Sequence, residues 1–167
     1  SAKKEIEEEH GVQIMIHSFD LSNSGHVDQL VKNCPTIDIL VNNAGAIPAG
    51  DIQTVEEEKW RAAWDLKVFG YINMTRRYYP LMKDSGGGVI MNIIGLAGVR
   101  VDRNYIAGSA GNASIIGFTN AMGAYALDEG MRVLGVCPGA VQTERITTML
   151  KTRAKDEKGD DGCNWWH

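Results

Sequence analysis

Ile37-Asp38-Ile39-Leu40-Val41-Asn42-Asn43-Ala44-Gly45 is the stretch on which the reading of this chain turns. Five residues, four of them apolar, run without a helical period and then stop at two amides and two small residues. A short apolar run bounded by turn residues reads as a strand buried inside a sheet. The Ala-Gly step that closes it lets another molecule approach the backbone closely. In open α/β sheets, ligands settle beyond the carboxyl ends of strands. An ordinary strand-ending turn has the same look, so the tetrapeptide needs support from its surroundings.

Outward from this point, apolar runs alternate with amphipathic stretches. Upstream, Val12–His17 (VQIMIH) is a strand candidate, and Asp20-Leu21 follows it closely. Ser22–Lys32 reads as a helix, with Ser22 or Asn23 as N-cap. Downstream, a loop with Pro48 and Gly50 leads to a long helical stretch, Val55–Met82. There Trp60, Ala63, Trp64, Val68, Ile72, Thr75 and Tyr79 recur at intervals of three and four. Gly86-Gly87-Gly88 breaks it, and Val89–Ile94 (VIMNII) is the next buried strand. Tyr105–Leu127 is a second long helix, rich in Ala, Gly and Ser. Arg132–Cys137 (RVLGVC) is the last clear strand, stopped by Pro138-Gly139, and Thr143–Lys158 reads as a polar helix. Residues 159–167 form an irregular tail. Continuous apolar strands separated by helices predict an α/β, doubly wound parallel sheet in a single domain over residues 1–167.

Composition narrows the function. Lys and Arg number 17 against 21 Asp and Glu, a net charge of −4. That balance offers no basic footprint for nucleic acid and no polybasic tract for anionic membranes. No apolar run approaches the roughly 18 residues of a spanning helix. The expectation is a soluble, cytoplasmic protein. Cys34, Cys137 and Cys163 show no CxxC spacing, and His10, His17, His26 and His167 are scattered, so no metal site is expected.

Three further features stand at strand ends or in the helix that follows. Cys137-Pro138-Gly139-Ala140-Val141-Gln142-Thr143 follows a strand, with a sharp exit and a hydroxyl. Asp20-Leu21 follows the first strand, where an Asp also serves as an ordinary turn or cap. Ile116-Gly117-Phe118-Thr119 sits in the small-residue helix that Tyr105 opens, where small residues also simply permit close packing.

Taken in order with Asn42–Gly45, these features resemble the short-chain dehydrogenase/reductase family over about residues 10 to 150. The resemblance implies a Rossmann-like fold and an NAD(P)-dependent oxidoreductase acting on a carbonyl or secondary alcohol. It places Asp20 and Leu21 beside the adenine, Asn42, Ala44 and Gly45 along the cofactor cleft, and Pro138, Gly139 and Thr143 at the nicotinamide. It also implies a homo-oligomer packed through the helices at 55–82 and 105–127.

The chain departs from the family in two ways. The glycine-rich TGxxxGxG turn that cradles pyrophosphate at a helix N-terminus does not occur, nor does the residue that selects NAD over NADP. The expected fold is therefore an incomplete copy without its first strands, and dinucleotide binding is in doubt. In the family's strand order, 3-2-1-4-5-6-7, Val12–His17 and Ile37–Val41 would both lose neighbours.

The catalytic set departs as well. Family members carry Asn, Ser, Tyr and Lys. Here Lys67 stands at the Asn position, Gly95 at the Ser, Gly108 at the Tyr and Asn112 at the Lys. Gly108 has no proton to give, and neutral Asn112 cannot favour a tyrosinate. Tyr105 lies three residues before Gly108, on nearly the same helical face. The expectation is that Tyr105 reaches the cleft and Lys67 supplies positive charge. A packed tyrosine and a solvated lysine are the plain alternatives. At the level of function, the alternatives are a dinucleotide-binding pseudoenzyme and a non-catalytic interaction protein using the two long helices.

Overall fold

A computed structural model describes residues 2–139 together with Thr147 and Lys151. Helix α1 (Ala2–His10) is charged and buries none of its residues. Helix α2 (Ser24–Asn33) starts at Asn23, whose side chain accepts from the Gly25 and His26 amides. That N-cap satisfies two donors that the first helical turn leaves without partners.

Strand β1 is Ile39–Asn42. The expected helix at 55–82 is three segments in succession: α3 (Glu57–Trp64), a π-helical stretch (Asp65–Phe69) and α4 (Gly70–Asp84). Strand β2 is Gly88–Ile93, a short 3₁₀ turn covers Leu96–Gly98, α5 is Ile106–Ala126, and β3 is Met131–Val136. The predicted polar helix at 143–158 and the tail at 159–167 lie outside the described residues, except that Thr147 and Lys151 are helical.

The three strands are parallel in the order β1-β2-β3. Strand order advances in one direction, and parallel crossovers are right-handed almost without exception. Both crossovers therefore fall on one face of the sheet. Leu40, Ile90 and Val133 stand side by side in register on that face. They pack with Val27 of α2, Met74, Tyr78 and Met82 of α4, and Ala126 of α5. A second cluster, Val68, Tyr71, Ile94 and Ile115, continues the core toward the carboxyl ends of the strands. A third, Ile47, Ala63 and Ala107, lies under the loop after β1.

The opposite face is open among the described residues. Val41, Met91 and Leu134 form one cross-strand row, and Ile93 and Val136 another. Ile39 is 60% and Val41 52% exposed. The strand expected at Val12–His17 is not formed. Met15 and Ile16 are 66% and 69% exposed, and residues 11–20 carry no regular structure. The physical reason is pairing: a strand needs a neighbour to satisfy its N–H and C=O groups, and none stands between this segment and β1.

Candidate active site

The carboxyl ends of β1 and β2 and the start of α5 bring together most of the residues that the sequence singles out. At the end of β1, Ala44 and Gly45 enter an irregular loop. A Cβ placed on Gly45 would lie 2.8 Å from Cδ of Lys67. The lysine stem thus lies along the backbone of the turn. The Lys67 ammonium donates to the Ile94 carbonyl at 2.5 Å. Lys67 is held in this position by the π-helical stretch, a local widening that is common at functional sites.

Past β2, Gly95 has φ +119°, a left-handed conformation that a side chain resists. A Cβ there would lie 3.0 Å from Nδ2 of Asn112. Asn112 is 3% exposed, and its Oδ1 is buried without a hydrogen-bond partner. A helical turn earlier on α5, a Cβ on Gly108 would lie 2.0 Å from Cε1 of Tyr105. The tyrosine ring fills the space that a side chain at 108 would take.

Backbone bonds fix Tyr105 there. It sits at the N-cap of α5 and pairs with Gly50 in an isolated parallel bridge. The Gly50 amide donates to the Asn104 carbonyl at 2.7 Å, and the Ile106 amide returns to the Gly50 carbonyl at 3.2 Å. The Asp102 amide donates to the Ser109 hydroxyl at 3.0 Å, which ties the loop to the helix. Pro138 is tied to the 3₁₀ turn, its carbonyl accepting from the Leu96 amide at 2.8 Å. Gly139 is exposed beside it. Thr143 lies outside the described residues.

Asn42 sits differently from its expected place along the cleft. It is buried, and its amide donates to Asn92 at 2.9 Å and to Thr75 at 3.4 Å. Asn92 in turn donates to Thr119. Asn42 therefore ties the sheet to the helices from inside. Asp20 is exposed in the turn before α2. Its carboxyl is held below the usual range by hydrogen bonds from the Ser22 hydroxyl and amide. Leu21 packs against the main core, its carbonyl beside Gly70.

Sequence reading missed Asn92 and Tyr71. Asn92 is a lone polar residue in an apolar strand, and such a residue must find a buried partner. Tyr71 is 2% exposed, donates to the Ile93 carbonyl at 2.9 Å, and is pushed up to about 12 by burial. Trp64 Nε1 similarly donates to the Ala107 carbonyl at 3.0 Å. Among the described residues, no group of three His, Cys, Asp or Glu is placed to hold a metal ion, and no helix is long and apolar enough to cross a membrane.

This arrangement at the strand ends, with Asn-Asn-Ala-Gly closing β1 and Pro-Gly after β3, agrees with the comparisons. The sequence model of the short chain dehydrogenases matches residues 1–154. This chain belongs to the short chain dehydrogenase family. Relatives of this chain include an uncharacterized oxidoreductase of Thermotoga maritima, 33% identical over 79% of the chain and 53% of that protein. D-beta-hydroxybutyrate dehydrogenase of Cupriavidus necator is 27% identical over 94% of the chain and 63% of that protein. The L-sorbose reductase of Gluconobacter frateurii, solved with NADPH and L-sorbose, superposes with a TM-score of 0.85 at 26% identity. That match covers 96% of the chain and 62% of the reductase. The chain thus spans less than two thirds of each of these proteins.

Proposed function

We propose that this chain carries the catalytic end of an NAD(P)-dependent oxidoreductase that interconverts a secondary alcohol and its carbonyl compound. The observation that carries the proposal is the ring of Tyr105 in the space above Gly108. A phenol in that space stands where proton transfer to or from the substrate oxygen is needed, although its backbone lies a turn away.

A nicotinamide dinucleotide, NAD or NADP, supplies the hydride acceptor or donor when bound. The strand-end residues suit its nicotinamide end. Gly45 and Gly139 present exposed backbone. Ala44 and Pro138 would flank the ring, Thr143 would face it, and Asp20 and Leu21 would lie toward the adenine. Asn42 would act by shaping the turn, since its side chain is committed to Asn92 and Thr75.

In the oxidative direction, Tyr105 takes the hydroxyl proton as the carbinol C–H electron pair leaves as hydride and the C=O bond forms. Reduction runs the same transfers in reverse. Lys67 would stabilise the phenolate by its charge, while its bond to the Ile94 carbonyl holds it at the end of β2.

The named relatives are an oxidoreductase, a dehydrogenase and a reductase, which does not favour the pseudoenzyme reading. L-sorbose and D-beta-hydroxybutyrate, named for two of them, make polyols and hydroxy acids the first substrates to try. A homo-oligomer through the helices at 55–82 and 105–127 belongs to the same proposal. Trp60, Trp64, Phe69, Ile52 and Val55 line an open groove of about 480 Å³ on that side, and sedimentation would test it.

The decisive experiment is a reduced-nicotinamide absorbance assay with these substrates on the wild type and on Tyr105→Phe with Lys67→Ala. Loss of turnover in the double variant supports the assignment. A double variant that turns over like the wild type overturns it.

A further inference from the structure

We infer that the side-chain amide of Asn112 holds the reacting oxygen of the bound alcohol or ketone, in the space that a side chain at position 95 would otherwise fill. The inference rests on the reading of the cleft as an alcohol/carbonyl site and adds a residue to it.

Three observations carry it. Gly95 offers no side chain, and its φ of +119° resists one. The atom nearest to a Cβ at that position is Asn112 Nδ2, at 3.0 Å. Asn112 is only 3% exposed, yet its Oδ1 has no partner, the sole such buried side-chain atom among the described residues. A buried acceptor without a donor is costly and calls for a reason, of which a role in the chemistry of a site is one. Asn112 lies one helical turn beyond Gly108, where the Tyr105 ring rests, so both side chains face one stretch of α5. The 3₁₀ turn closes over this stretch, since a Cβ on Gly98 would meet Asn112 Cβ at 2.9 Å.

The chemistry of an amide suits both oxidation states of the substrate. Its NH₂ donates to a ketone oxygen, and its carbonyl accepts from an alcohol hydroxyl on arrival, before that single O–H turns to Tyr105 for transfer. An alcohol bound through Oδ1 satisfies the orphan acceptor, and a ketone is polarised by Nδ2. No electrons or protons move on Asn112 itself; the hydride and proton transfers remain those already given.

The test uses butan-2-one with NAD⁺, a pair that cannot react, followed by ¹⁵N NMR of the Asn112 side-chain amide. Saturable movement of that signal is expected, with a loss of at least tenfold in butan-2-one affinity for Asn112→Leu. Without ligand, Asn112→Leu should melt no lower than the wild type, because it removes an unmatched buried oxygen. Asn112→Asp keeps acceptors and loses the donor, so its KM should rise more for butan-2-one than for butan-2-ol. If Asn112→Leu does not fold, that KM ratio decides alone. Unchanged butan-2-one binding in Asn112→Leu overturns the inference, as does an equal KM change for both compounds in Asn112→Asp. Tyr105→Phe separates the two readings. Retained turnover there sinks the proton-transfer assignment and leaves Asn112 standing, whereas lost turnover with unchanged binding in Asn112→Leu removes Asn112 alone.

Discussion

The ring of Tyr105 occupies the volume of a side chain that Gly108 does not have, with Cε1 2.0 Å from the position of a Cβ on that glycine. Two positions one helical turn apart thus complement each other, the first supplying the ring and the second the room for it.

That pairing makes Gly108 as telling as the tyrosine. Tyr105→Phe should keep the ring packed and lower kcat by about 10²- to 10⁴-fold, the range for a lost proton-transfer group. Gly108→Ala should also lower kcat, by pushing the ring out of its place. On helix propensity alone, Gly to Ala favours the helix by about 1 kcal/mol, so a fall in melting temperature for Gly108→Ala would report the collision. Steady-state kinetics and thermal melts of both variants check this.

Lys67 divides into a stem that lies along one side of the Gly45 turn and an ammonium bonded to the Ile94 carbonyl. Lys67→Met keeps most of the stem and removes the charge. The expected result is turnover at least tenfold lower, with the acidic limb of the pH–rate profile for alcohol oxidation moved upward, because a tyrosine without a nearby cation ionises less readily. An unmoved limb would assign Lys67 to packing.

Asn92 is fully buried between Asn42 and Thr119, accepting from one and donating to the other. Asn92→Leu strands the Asn42 amide and should cost about 2–3 kcal/mol in urea unfolding, the scale of one or two unsatisfied buried groups. Replacing Asn42 and Asn92 together by Leu should cost less than the sum of the single changes.

Alkaline stability follows from Tyr71 and Tyr79, both pushed up to about 12, Tyr71 by burial and Tyr79 by burial and by Glu129. A tyrosine whose proton is held more tightly in the folded state stabilises fully below the unfolded value near 10. That contribution is lost as pH rises through the folded value. The melting temperature should therefore fall between about pH 10 and 12, and Tyr71→Phe should flatten the slope. Melts from pH 8 to 12 provide the check.

Much of the fold was legible in the chain because strands and helices carry different periods. The runs at Ile37–Val41, Val89–Ile94 and Arg132–Cys137 became the three parallel strands, displaced by at most two residues at their ends. Val12–His17 failed because alternation shows only that a segment suits a sheet; pairing needs a neighbour. The π-helical stretch at Asp65–Phe69 was invisible in the spacing, and past it the buried face carries Tyr71 and Tyr78, with the expected Ile72 and Tyr79 only half-buried. In the cleft, the spacing of Tyr105 to Gly108 implied a shared face. Spacing could not reveal that Asn42 turns inward, because its partners Asn92 and Thr75 are distant in sequence.

The parallel order of the sheet governs how the chain reaches this structure at all. Asn42 meets Asn92 across a separation of 50 residues, and neither β1 nor β2 can close a hairpin with a near neighbour. Each pairing must first overcome the entropy of closing a long loop, which slows folding. Throughout that wait the edge of β1 and the row of Val41, Met91 and Leu134, both uncovered among the described residues, remain available to other chains. Soluble yield on expression should thus rise at low temperature and low concentration, and a lysine in place of Val41 should raise it further.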